Sequence, residues 1–135
     1  MKCLEPTDKV KTNYDILIDA QMELRGYIQK PIKSVEVLHE VLQWYHITEE
    51  QLLLYRNNQI KRVCMFLLHE VSFLNYEEIV KIIQCKNESE VIQGIEKIKE
   101  KMRRDRYLLY EIAGIVERLK SLAEIYPEIL NTNKR

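Results

Sequence analysis

Apolar residues spaced three and four apart divide the chain into a succession of amphipathic helices. After Pro6 and Thr7, Val10, Tyr14, Leu17, Leu24 and Ile28 share one stripe, with Gln21 as its polar member, until Pro31 ends the pattern. The stripe predicts a first helix over residues 1–31, packed on the core. Ser34 is placed to cap a second helix, with Val35, Leu38, Val41, Leu42 and Tyr45 toward one side. Thr48 and Gln51 have capping-box form ahead of a short third helix that carries Leu52 and Leu53. The polar stretch Arg56, Asn57, Asn58 and Gln59 breaks the pattern. The run from Ile60 to Val71 after it is apolar on most sides, as a central core helix would be.

Two cap-and-glutamate pairs follow, Asn75 with Glu78 and Asn87 with Glu90, so a helix is expected to start just after each asparagine. The first runs from Tyr76 to Ile83. A turn over Gln84 to Lys86 leads into a long second helix with Val91, Ile95, Ile98 and Met102 facing inward. Two helices joined so closely have the grammar of a helix-turn-helix. Beyond Asp105, a last helix carries Leu108, Ile112, Ile115, Leu119, Leu122 and Tyr126 inward and ends before Pro127. The pattern implies an all-α chain with one main unit over residues 32–126 and a flexible tail over 127–135.

Composition agrees with long helices: 46% of the 135 residues are apolar, and there are only three glycines and three prolines. Cys3, Cys64 and Cys85 are odd in number and widely separated, which excludes a disulfide framework and a C-x-x-C zinc site and fits a reducing cytoplasm. No apolar run approaches the length of a bilayer span, and no signal peptide opens the chain, so a cytoplasmic protein without membrane contact is expected.

Net charge is zero, but its distribution is uneven. Residues 1–55 hold 6 Lys/Arg against 9 Asp/Glu, residues 56–106 hold 11 against 8, and the remainder 4 against 4. The middle third is therefore mildly basic, by three charges, and that is where any phosphate contact would fall.

The same middle third carries a family resemblance. Met65-Phe66-Leu67-Leu68-His69-Glu70-Val71 is similar to the M-Y-L-L-R-E-L stretch of the C-terminal DNA-binding domain of the bacterial replication initiator DnaA, a relative of the Trp-repressor fold. The likeness continues without gaps. Leu74 to Ile83 resembles L-S-L-P-E-I-G-R-L-F, and Ser89 to Ile98 resembles S-T-V-L-H-A-V-R-K-I. It spans roughly residues 32 to 125. The resemblance implies an all-α, Trp-repressor-like helix-turn-helix bundle, here with an added N-terminal helix and a long C-terminal helix.

The residues that would read DNA depart from the family. Its signature G-R-D-H-S/T-T-V corresponds to Cys85, Lys86, Asn87, Glu88, Ser89, Glu90 and Val91. Lys86 and Ser89 can bond phosphates, Asn87 can pair with adenine unless it is spent as a cap, and a glutamate can accept from cytosine N4. Glu88 and Glu90 either repel the phosphate backbone or complement the positive end of the helix dipole. Lys61 falls where the family has its minor-groove arginine. Arg62 joins it, in a basic loop that is shortened and retains Arg56. The family's paired turn glycines are Gln84 and Cys85 here.

The expected DNA-contacting set is therefore Lys61, Arg62, Lys86, Asn87, Glu88, Ser89, Glu90, Gln93 and Lys97. The basic run Lys97, Lys99, Lys101, Arg103, Arg104 and Arg106 is interleaved with Glu96, Glu100 and Asp105, and reads first as a solvated face of ion pairs. His39, His46 and His69 share no ligand spacing with a cysteine, so no metal site is expected. No G-x-x-x-x-G-K-[ST] loop or recognisable nucleophile occurs, so no enzyme, cofactor or small-molecule substrate is expected. Two function classes remain. One is a regulator of replication or transcription, associated with the nucleoid, that binds double-stranded DNA as a dimer or on a carrier. The other is an interaction module for a replication or transcription protein that kept the fold and lost the DNA surface.

Overall fold

The structure, a computed structural model, describes residues 28, 30–54 and 59–131. The helix expected over residues 1–31 and the polar break at 56–58 thus lie almost wholly outside the described residues. Among the described residues six α-helices follow one another: α1 Ser34–Tyr45, α2 Glu49–Leu54, α3 Gln59–Glu70, α4 Tyr76–Ile83, α5 Glu88–Arg104 and α6 Arg106–Ile125. A 3₁₀ turn over Pro127–Ile129 closes the series.

Helix α3 is the axis of the core. Val63, Cys64, Met65, Phe66, Leu67 and Leu68 are all buried. A helix apolar on most sides must be largely enclosed, and α1, α4 and α5 pack around it. Helix α5 presents Val91, Ile95, Ile98 and Met102 inward, and α6 presents Leu108, Ile112, Ile115 and Leu119. Tyr126, expected on that inner stripe, is half exposed because α6 has ended at Ile125.

Helix starts follow their capping chemistry. Thr48 and Gln51 exchange backbone-to-side-chain bonds of 2.9 and 3.0 Å before α2. Asn75 and Glu78 do the same before α4, at 2.8 and 2.9 Å. The Asp105 carboxylate accepts from the N–H groups of Tyr107 and Leu108 at the start of α6. Helix α1 differs from expectation: its cap position is Lys33, with no side-chain bond, and Ser34 is already helical. Its inner face is set by Val37, Glu40 and Val41, while Val35 points to solvent. Glu40 can be buried because Arg118 of α6 reaches it as an ion pair.

Residues 127–131, expected to begin a flexible tail, are held against the body instead. Leu130 forms an isolated antiparallel bridge with Ile32. Lys33 donates its backbone N–H to Ile129 at 2.9 Å, and Asn131 donates to Pro31 at 2.8 Å. Residues 127–131 therefore clasp the segment that enters α1. Among the described residues, no helix is long and apolar enough to cross a membrane.

Candidate nucleic-acid interface

Helices α4 and α5 are joined by four residues, and each end is locked by its own chemistry. Gln84 ends α4 in the left-handed conformation at φ 63°, ψ 51°. Glycine adopts that conformation without strain, so glutamine there forms the turn at a conformational cost. The amide of Cys85 donates to Val80 at 3.0 Å, which closes the end of α4. Asn87 is extended, and its Oδ1 accepts from the Glu90 N–H at 3.0 Å, starting α5.

The Glu90 side chain does not complete the reciprocal box by returning to Asn87. It reaches one residue further back, accepting from the Lys86 backbone N–H at 2.9 Å. This bond pins the turn to the first turn of α5 and holds the carboxylate against the backbone. Asn87 is spent as a cap, so only its amide N–H₂ is left to donate. That removes the two-point pairing with adenine that a free asparagine can make.

Five members of the expected set converge. Lys61 and Arg62 of α3 and Glu90, Gln93 and Lys97 of α5 line one shallow groove, floored by Met65 and Gly94. The close approach depends on Gly94: a Cβ there would collide with the Met65 sulfur and press on the Arg62 stem. Lys61 extends toward the end of α2, where its Nζ lies 3.5 Å from the Leu53 carbonyl. The groove thus holds three cations and one carboxylate, and the carboxylate is engaged at Lys86.

Lys86, Asn87, Glu88 and Ser89 stand outside the groove, exposed on the turn and the first turn of α5. Gln93 joins the two regions, since its Nε2 lies 3.4 Å from the Ser89 Oγ, a weak bond that an incoming polar group can replace. Cys85 sits beside the groove, half-buried between Glu90 and Lys61. Burial and the Glu90 carboxylate push its thiol pKa up, against the opposing pull of Lys61. It is therefore kept in the unreactive thiol form.

The groove floor could not be anticipated from helix patterns, because Met65 and Gly94 meet only when α3 and α5 pack. A glycine in the middle of a strong helix pattern is the one signal in the sequence for such an approach. His69 is held by packing: its Nδ1 lies 3.0 Å from the buried Glu70 carboxylate and its ring stacks on Tyr76 at 4.9 Å. Among the described residues, no three His, Cys, Asp or Glu side chains converge as a metal site requires. Compared with protein-family models, curated proteins and solved structures, the chain has no match.

Proposed function

We propose that the chain is a non-catalytic, double-stranded DNA-binding or DNA-associated regulator of replication or transcription. In this reading α4 and α5 serve as a helix-turn-helix of the Trp-repressor and DnaA C-terminal kind. The observation that carries it is the convergence of Lys61, Arg62 and Lys97 around Gln93, with the one acid among them turned onto the Lys86 N–H. Cations so grouped neutralise phosphates, and an exposed amide beside them is positioned for base edges.

Within that reading the roles divide by chemistry. Lys61, Arg62, Lys86 and Lys97 hold phosphates, and Ser89 and the Asn87 amide donate to the backbone. Gln93 becomes the adenine reader, because its side chain is exposed and gives up only the weak 3.4 Å contact to Ser89, while Asn87 is spent on its cap. Glu88 can accept from a cytosine amine. With zero net charge on the chain, one copy binds weakly, so a dimer or a carrier protein completes the affinity.

The test is fluorescence anisotropy with mixed-sequence duplexes across a salt series. Affinity should fall steeply with salt, and Lys86→Ala should lower it. Absence of binding at low salt would remove this reading. A second reading, a protein-interaction module on the same fold, is favoured by the exposed Glu88 and by Ile92, an apolar side chain 38% exposed on α5. It predicts no duplex binding at any salt concentration.

A further inference from the structure

The joint between α5 and α6 gathers charge and an aromatic ring that the α3–α5 groove does not use. Lys101, Arg104, Asp105, Arg106 and Tyr107 line an open cleft there. Tyr107 is 83% exposed, the most exposed of the large apolar side chains among the described residues. We propose that this cleft binds a single-stranded nucleic-acid segment, with Tyr107 stacked on an unpaired base and Lys101, Arg104 and Arg106 holding the flanking phosphates.

Three observations support this assignment. First, the lining is mostly positive: three cations share the cleft with the ring, and the one carboxylate among the lining residues, Asp105, accepts from the Tyr107 and Leu108 N–H groups at 3.0 and 3.2 Å. The end of α6 is thereby already capped, so the attraction for an anion comes from side chains. Second, the hydrophobic core does not use the ring, since the inward stripe of α6 begins one residue later at Leu108. Tyr107 buries little of its ring. Third, the combination matches a chemistry: a flat exposed ring among cations stacks an unpaired base and tracks its phosphates, whatever the sequence. Bases within a duplex are already stacked on one another, which excludes them from the ring.

The cleft also lies along a path. Gln93, Lys97, Lys101 and Arg104 follow one another at three- and four-residue steps on α5, all exposed. At 1.5 Å per residue they span roughly 16 Å, from the groove to the cleft. Glu100 flanks this line and pairs with Arg103 at 2.8 Å and Arg104 at 3.6 Å, so Arg104 exchanges a weak contact for a phosphate. A strand leaving a locally opened duplex could follow that line.

The experiment is anisotropy of a short labelled oligothymidylate with the full chain, beside the same measurement on a duplex. Single-strand binding should weaken with salt and fall about fivefold to a hundredfold in Tyr107→Ala. It should survive in Tyr107→Phe, which keeps the ring, and duplex affinity should be unchanged in both variants. Circular dichroism checks that each variant is folded, as expected for so exposed a position. Binding of duplex but not of oligothymidylate, or single-strand binding indifferent to Tyr107→Ala, would overturn the proposal while leaving the duplex reading intact. Single-strand binding without duplex binding would support the cleft and sink the duplex reading alone.

Discussion

The carboxylate of Glu90 accepts the backbone N–H of Lys86 at 2.9 Å, which ties an acid of the candidate interface to the turn that precedes it. An acid placed so is a structural element as well as a charge, and the two roles can be separated. Glu90→Gln keeps an acceptor for the Lys86 N–H but removes the charge from among Lys61, Arg62 and Lys97. Duplex affinity should rise several-fold with little change in melting temperature. Glu90→Ala should lower stability by about 0.5–1.5 kcal/mol through the lost bond. Thermal melts beside anisotropy distinguish the two.

Gly94 and Gly114 both lie under side chains, and the two sites should respond unequally. A methyl group at Gly94 meets the sulfur of Met65, which is only 3% exposed and packed in the core. Gly94→Ala should therefore cost about 1 kcal/mol net, overpacking exceeding the gain in helix propensity. At Gly114 the obstacle is the Trp44 ring, 2.7 Å from the added carbon but 38% exposed and able to swing outward. Gly114→Ala should be near neutral. Denaturant titrations of the pair provide the check.

Arg118 is mostly exposed, yet its partner Glu40 has a side chain only 7% exposed. Removing the arginine leaves a buried carboxylate unpaired, so Arg118→Ala should destabilise by about 1–3 kcal/mol, reduced from a fully buried pair by solvent around the guanidinium. Glu40→Met, which removes the charge and keeps the volume, should cost less. A double-mutant cycle read by urea unfolding would expose any other order.

Cys64 is fully buried, and burial raises its thiol from 9.0 to about 12. The folded chain therefore holds a proton that the unfolded chain releases near pH 9. The stability this contributes is complete below about pH 9 and is lost as pH rises toward 12. Tyr45, raised by burial and by its 2.9 Å bond to Glu111, adds a loss of the same sign at higher pH. Melting temperature should fall through this alkaline range, and Cys64→Ala should make the fall shallower. An unchanged slope would contradict the assignment.

How much of this was legible in the sequence depended on the range of the forces involved. Caps act over three residues, so Thr48, Asn75 and Asn87 marked helix starts that the structure has. Periodicity placed the inner faces of α5 and α6 for the same local reason. What failed was set from afar. Val35, expected on the inner face of α1, points to solvent while Glu40 is buried against Arg118 of α6, and residues 127–131 are held by bonds to Pro31 and Lys33 that no local pattern encodes. The candidate site divides likewise: its members could be named one by one, but their meeting in a groove required α3 and α5 to close over Gly94.

On the proposed reading, Arg62 and Lys97, meeting from two helices, hold DNA phosphates together. Its most direct test is the dependence of duplex affinity on salt for the intact chain and for Arg62→Ala/Lys97→Ala. Each lost phosphate contact should reduce the slope of log affinity against log salt by about 1, so the double variant should be shallower by about 2 and weaker on every duplex sequence. Equal slopes for the two proteins, or no duplex binding by the intact chain at low salt, would contradict it.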